Sequence, residues 1–160
     1  MLYLTFKAGE NEYALDAARV LQVVPGVPLR PVPDAPDHIA GLLNFRGSPV
    51  IVVDLVKLIA RIKCRRLFSA RIIITDCARA GGGQATLLGL LAEDITTLMK
   101  REPADLMENA LNTAETSCLG QMFRDDERLI QIIKIERLVT GELEHMLAAG
   151  MEEFSKTQAG

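Results

Sequence analysis

Short apolar runs, each broken by turn residues, recur along the chain: LYLTFKA (2–8), EYALD (12–16), RVLQVVP (19–25), GLLNF (41–45), VIVVD (50–54), ARIIITD (70–76), TLLGLLA (86–92), ITTLMKR (95–101), CLGQMFR (118–124) and RLIQIIK (128–134). Their length and β-branched content predict ten strands. Gly9-Glu10-Asn11 and Asp125-Asp126-Glu127 fit tight hairpin connections, and Asp76 to Gln84 a longer loop. With few helical stretches between the runs, the spacing favours antiparallel barrels or a sandwich over a parallel α/β sheet.

Helical periodicity appears twice. In DLVKLIARI, Leu55, Leu58, Ile59 and Ile62 share one face opposite Lys57 and Arg61, so a two-turn helix is expected after the strand, capped by Asp54. From Glu142 onward, Leu143, Met146, Leu147, Met151 and Phe154 recur at helical spacing. That pattern predicts a C-terminal amphipathic helix over 141–160 with a frayed end, accessory to a main domain over 1–140. Between residues 24 and 37, VPGVPLRPVPDAPD concentrates five of the seven prolines, which suits a shaped surface strap better than a sheet strand.

A chain of 160 residues can bury one full core without disulfides. With hydrophobic residues at 49% but aromatics at 4% and no Trp, that core must be aliphatic, and base-stacking surfaces are scarce. A net charge of −3 offers no field for a polyanion, so nucleic acid is a poor partner. Cys64, Cys77 and Cys118 match no metal-binding spacing and are expected as free thiols. No segment has the length or apolarity of a membrane span or signal, so no membrane insertion and a cytoplasmic location are expected.

Catalytic chemistry finds little support. His38 and His145 stand alone, without a ligand pattern or a nucleophile, and no metal or other cofactor is expected. ARAGGGQAT lacks the Lys-Ser/Thr of a phosphate loop and leads into a strand. Asp54, Glu93 and Asp94 each end an apolar run. An acid/base pair of Asp54 and Glu93, as in a hydrolase, therefore stays open as an alternative, as does a small-ligand-binding barrel.

The stretch GLLNFRGSPVIVVDL carries the most specific signal, with Gly41, Asn44, Arg46, Gly47, Asp54 and Leu55 in fixed spacing. Together with EYALDAARVLQVV, PVPDAPDHIAG, LLGLLAEDITTL (including Gly89 and Glu93) and DERLIQIIKIERLV, it resembles the CheW-like adaptor domains of bacterial chemosensory arrays over residues 2 to 140. The resemblance implies two five-stranded β-barrels sharing a hydrophobic interface, with a few short helices, and no enzymatic activity. It implies two partners: the cytoplasmic tip of a chemoreceptor, and the regulatory domain of a CheA-type histidine kinase. Carried over position by position, binding would involve Val20, Gln22, Gly41, Asn44, Arg46, Gly47, Ile95 and Leu98, while Asp54, Leu55, Gly89 and Glu93 belong to the structural motif.

Some positions depart from the usual family pattern: Ile51 stands in place of Pro, Ser48-Pro49 in place of an acidic-apolar pair, and Glu93 in place of Asp. These changes set the chain apart from the adaptors of the main motility array, while LLGLLAED and REPADL resemble the divergent Wsp-type adaptors, which couple a surface-sensing receptor to a diguanylate cyclase. Arg46 itself admits two roles that coexist: half of a turn with Gly47, and a charged fork at a binding edge.

Overall fold

In the computed structural model, which describes residues 1–61, 70–77, 86–108 and 118–138 and of Thr96 only the backbone, the apolar runs become nine strands. They are β1 (Leu2–Ala8), β2 (Asn11–Asp16), β3 (Val20–Pro25), β4 (Ile39–Phe45), β5 (Ser48–Asp54), β6 (Ala70–Asp76), β7 (Leu87–Lys100), β8 (Leu119–Asp125) and β9 (Arg128–Ile133). The expected count of ten is corrected to nine because TLLGLLA and ITTLMKR fuse into the 14-residue β7. The fusion works through a bulge. Thr5 pairs with Thr97 and Lys7 with Glu93, so one step of two residues on β1 faces four on β7, and Asp94 takes a positive φ of 44° there.

The bulge lets one strand serve two barrels. The front of β7 pairs with β5 and β6, β6 with β3, and β5 with β4, while an isolated bridge between Arg30 and Leu42 joins the chain after β3 back to β4. The back of β7 pairs with β1, then β2, β9 and β8 follow, and a bridge between Met107 and Met122 closes that set. Each barrel has five strands, with β7 counted in both.

Two pairs, β5 with β7 and β2 with β9, run parallel where antiparallel pairing was expected. Neither is joined by a hairpin, so no tight turn forces the direction to reverse. The expected hairpins at 9–10 and 126–127 are present, with Gly9 (φ 68°) and Asp126 (φ 52°) at positive φ.

Alternation along β1 explains why its sequence is apolar on both faces. Tyr3 points into the second barrel with Ala14, Phe123, Ile130 and Ile132, its ring 5.6 Å from that of Phe123. Leu4 and Phe6 point the other way, and with Leu15 they join one continuous core with Val50–Val53, Ile72–Ile74, Leu88 and Leu90 of the first barrel. That continuous core is the shared interface, and it is mainly aliphatic, as the composition required. Full burial of each such side chain stabilises by about 1.5–3 kcal/mol.

The helix α1 (Leu55–Ala60) follows β5, with Leu55 and Val56 buried and Arg61 at a positive φ of 61° ending it. It stops before Ile62, which lies outside the described residues, as do Cys64, His145, most of the loop after Asp76 and the expected helix over 141–160.

Candidate protein-interaction surface

Arg46 and Gly47 are the two central residues of the β4–β5 hairpin, flanked by the pair Phe45 and Ser48. Both have positive φ, 51° and 84°, the requirement of the type I′ turn that matches strand twist. Glycine satisfies it freely, and a Cβ on Gly47 would meet nothing within 4 Å, so the demand there is on backbone angle alone. Asn44 fixes the turn by accepting the Gly47 N–H through Oδ1 at 2.9 Å.

The arginine bears a left-handed backbone that costs a side-chain residue about 1–2 kcal/mol, and its head is held in return. Its Nη2 donates to Gln22 Oε1 of β3 at 2.9 Å, and its guanidinium carbon lies 5.1 Å from the centroid of the Phe45 ring. Arg46 nonetheless remains exposed. The result is a pre-positioned cationic fork with donors left for a partner.

Around this fork β3 alternates. Val20, Gln22 and Val24 are half-buried, with the two valines against the main core, whereas Leu21 is 56% and Val23 39% exposed. These two bare apolar residues are functional candidates that the sequence reading missed. Their signal was present in RVLQVVP, a strand apolar on both faces whose outward positions needed a cover.

Gly41 is buried where the proline-rich strap crosses β4, and a Cβ there would stand 2.7 Å from the Arg30 carbonyl oxygen. Its role in the fold is to permit that approach. Ile95 and Leu98 lie past the β7 bulge. Ile95 packs half-buried on the main core, while Leu98, paired with Leu4, is 57% exposed next to Leu2 on the same face of the sheet.

The expected binding residues thus fall into separate groups. Gln22, Asn44, Arg46 and Gly47 form one cluster with Val20 at its edge. Ile95 and Leu98 belong to a second. Val20 is level with Thr75 and Leu88, and Ile95 follows Leu88 by seven residues, about 23 Å of strand.

The motif residues have structural duties. Asp54 is buried, its Oδ1 accepting the Lys57 N–H at 3.0 Å as the expected helix cap, and Leu55 is fully buried behind it. Gly89 leaves room for its neighbours, since a Cβ there would come within 2.9 Å of Val52 Cγ2. Glu93 pairs with Ala70 and Lys7 at the start of the bulge.

A cleft of about 270 Å³ opens where Val27, Pro28 and Leu29 of the strap pass over Asp54, Lys57 and Leu91. Asp54 lines it but Glu93 does not, so the acid/base pair weighed from the sequence is not assembled in that cleft. Cys77 and Cys118 are free and buried, and desolvation pushes both thiols above their ordinary range. Among the described residues no group of three or more His, Cys, Asp or Glu is placed to hold a metal ion.

Against known proteins, a family model described as the CheW-like domain matches residues 2–142. The chemotaxis protein CheW of Klebsiella aerogenes is 28% identical over 145 residues, covering 88% of this chain and 82% of that protein. The chemotaxis protein CheW of Treponema pallidum is 33% identical over 54 residues, 34% of this chain and 32% of that one. Among solved structures, the scaffolding protein TtCheW from Thermoanaerobacter tengcongensis superposes with a TM-score of 0.76 at 25% identity, over 88% of this chain and 89% of that one.

Proposed function

The chain belongs to the CheW-like domain family, scaffold proteins of chemotaxis signalling, and on that premise we propose that it is a non-enzymatic adaptor joining two partners. One is the cytoplasmic tip of a methyl-accepting type of chemoreceptor, and the other is the regulatory domain of a CheA-type histidine kinase. The observation that carries this reading is the Arg46–Gln22 fork, held at the surface beside the exposed Leu21 and Val23.

A receptor helix would lay an apolar stripe on these residues, with Arg46 gripping a carboxylate or backbone carbonyl. Val20, Gln22, Asn44, Arg46 and Gly47 would form one part of the contact, with the buried Gly41 supporting it from beneath the strap, and Ile95 and Leu98 another. A single contact of ~600 Å² per partner is weak and transient, so the working state would be a lattice held by several contacts at once.

Placement in the cytoplasm at receptor arrays accords with this reading. Among the described residues no helix is long and apolar enough to cross a membrane. Output to a diguanylate cyclase, in the manner of Wsp-type systems, is supported by the stretches LLGLLAED and REPADL, while the departures at Ile51, Ser48-Pro49 and Glu93 set the chain apart from the main motility adaptors.

The test is reconstitution of receptor signalling fragments on vesicles with the purified kinase. Addition of this protein should co-sediment the kinase and raise its autophosphorylation. If kinase recruitment is the same with and without the protein, the adaptor reading is overturned.

A further inference from the structure

The proline-rich strap is tied to the first barrel by its backbone. Gly26 donates its N–H to the Ala70 carbonyl at 3.0 Å, Arg30 and Leu42 exchange backbone bonds at 3.0 and 2.7 Å, and the Asp54 N–H donates to the His38 carbonyl at 2.7 Å. These bonds fix the walls of the cleft of about 270 Å³ beneath the strap, so the space is formed before anything enters it, as small-molecule sites usually are. Sites for drug-sized ligands run from roughly 300 to 1,000 Å³. An occupant of this cleft is therefore small.

Three charged side chains line the cleft, and each keeps unused capacity. Asp54 is 6% exposed, and its Oδ1 accepts the Lys57 N–H; among the described residues nothing donates to its Oδ2. Capping the helix needs only the first oxygen, and a carboxylate oxygen drawn this far from water is costly without a donor. Among the described residues, neither the exposed Asp37 nor the half-buried Lys57 has an ion-pair partner. Val27, Leu29 and Leu91 add apolar surface to the same lining. A simple cation entering here would meet Lys57, and a simple anion would meet two carboxylates. Charges of both signs beside an apolar wall suit a ligand that carries both signs on an apolar body.

We propose that this cleft binds a small zwitterion, an α-amino acid with an apolar side chain. The ammonium donates to Asp54 Oδ2 with Asp37 as the second acidic group, the carboxylate faces Lys57, and the side chain lies on Val27, Leu29 and Leu91. The cleft shares no lining residue with the Arg46 cluster, so the site does not rest on the adaptor reading and its test contains no receptor or kinase.

The full chain, labelled with ¹⁵N, is titrated to the solubility limit with L-leucine, L-methionine and L-phenylalanine, and in parallel with isoamylamine and 4-methylpentanoate, which each carry one charge. At least one amino acid should give saturable shifts of the Leu29, Lys57 and Leu91 amides, while the singly charged compounds bind at least tenfold more weakly. Asp54→Asn keeps a capping side chain but loses the charge, and Lys57→Met keeps the stem of the lysine. Each should weaken amino-acid binding tenfold or more, with unchanged amides at Phe6 and Ile73 verifying that the barrels are intact. No saturable shift with any of the three amino acids, binding of a singly charged compound as strong as theirs, or undiminished binding by either folded variant overturns the proposal.

Discussion

Arg46 donates to Gln22 across the gap between the β4–β5 turn and β3, at 2.9 Å, and it does so from a left-handed backbone. A hydrogen bond from a charged donor contributes about 1.5–3 kcal/mol when shielded from water and less at an exposed site such as this, which brings it close to the strain that the positive φ imposes. Stability and binding therefore separate at this residue. Arg46→Gly should melt within a few degrees of wild type, since relief of strain offsets the lost bond, and Arg46→Ala should lose about 1 kcal/mol, or 2–4 °C in Tm. Both should lose receptor co-sedimentation tenfold or more, and Arg46→Glu further still, because interfacial arginine is often dominant and reversed charge repels. A folded Arg46→Gly that binds like wild type would reduce Arg46 to a turn residue.

Gly47 and Gly89 predict opposite mechanisms of damage. Gly47→Val meets no atom within 4 Å, so its cost is the backbone strain of a β-branched residue at φ 84°, on the order of 1–2 kcal/mol. Gly89→Ala has no such strain but drives a methyl to 2.9 Å from Val52 Cγ2 and 3.1 Å from Ile72 Cγ2, an overpacking worth about 1–3 kcal/mol. Trimming Val52 to Ala in the Gly89→Ala background should recover part of that loss. The same trim should not rescue Gly47→Val. Denaturant midpoints of the four proteins decide it.

The contrast between these glycines also marks what was legible in the sequence. Strand positions, hairpins and the Asp54 cap follow from local alternation and turn chemistry, which the chain displays residue by residue. The fusion of two runs into β7 did not, because Glu93-Asp94 looks like a turn until β1 pairs across both sides of it. The two parallel pairings were equally hidden, being set by long-range closure. At the site, Arg46-Gly47 was visible as a turn with a displayed charge. Its partner Gln22 lies 24 positions away and was only one of several groove residues implied by the family resemblance. Leu21 and Val23 were passed over because an apolar strand residue is by default assigned inward.

Alkaline pH should unfold this protein earlier than a single-domain aliphatic core would suggest. Desolvation by burial raises Cys77 and Cys118 above 9.0, and Tyr3 and Tyr13 above 10.0. Between the unfolded and folded values the unfolded chain has lost a proton that the folded chain keeps, so stability falls as pH rises. The contribution is fully present below pH 9 and declines above it. Melts from pH 7 to 11 should show a decline beginning near pH 9, shallower in Cys77→Ala/Cys118→Ala once each is referenced to its own pH 7 value. An equal slope in that variant would locate the effect elsewhere. At neutral pH both thiols should react with a disulfide reagent only after unfolding.

Leu98 offers the cleanest test of whether the two groups of expected contact residues act on one partner. It is 57% exposed, so Leu98→Asp removes little packing and should change stability by about 0.5 kcal/mol or less. If a receptor helix covers it, the new carboxylate must be desolvated against apolar surface, at a cost of roughly 1–3 kcal/mol or more. That is a loss of affinity of about five- to 150-fold. Ile95 packs on the core, so Ile95→Asp is compared only after its fold is verified by near-ultraviolet dichroism. The separation along β7 sharpens the outcome. A helix long enough to touch both groups should be weakened by Leu98→Asp and by Arg46→Glu alike, while a receptor fragment shortened by three turns at one end should lose sensitivity to just one of them. Equal binding of wild type and Leu98→Asp to the long fragment would remove the β7 group from the receptor contact and leave the β3 and Arg46 cluster as its whole extent.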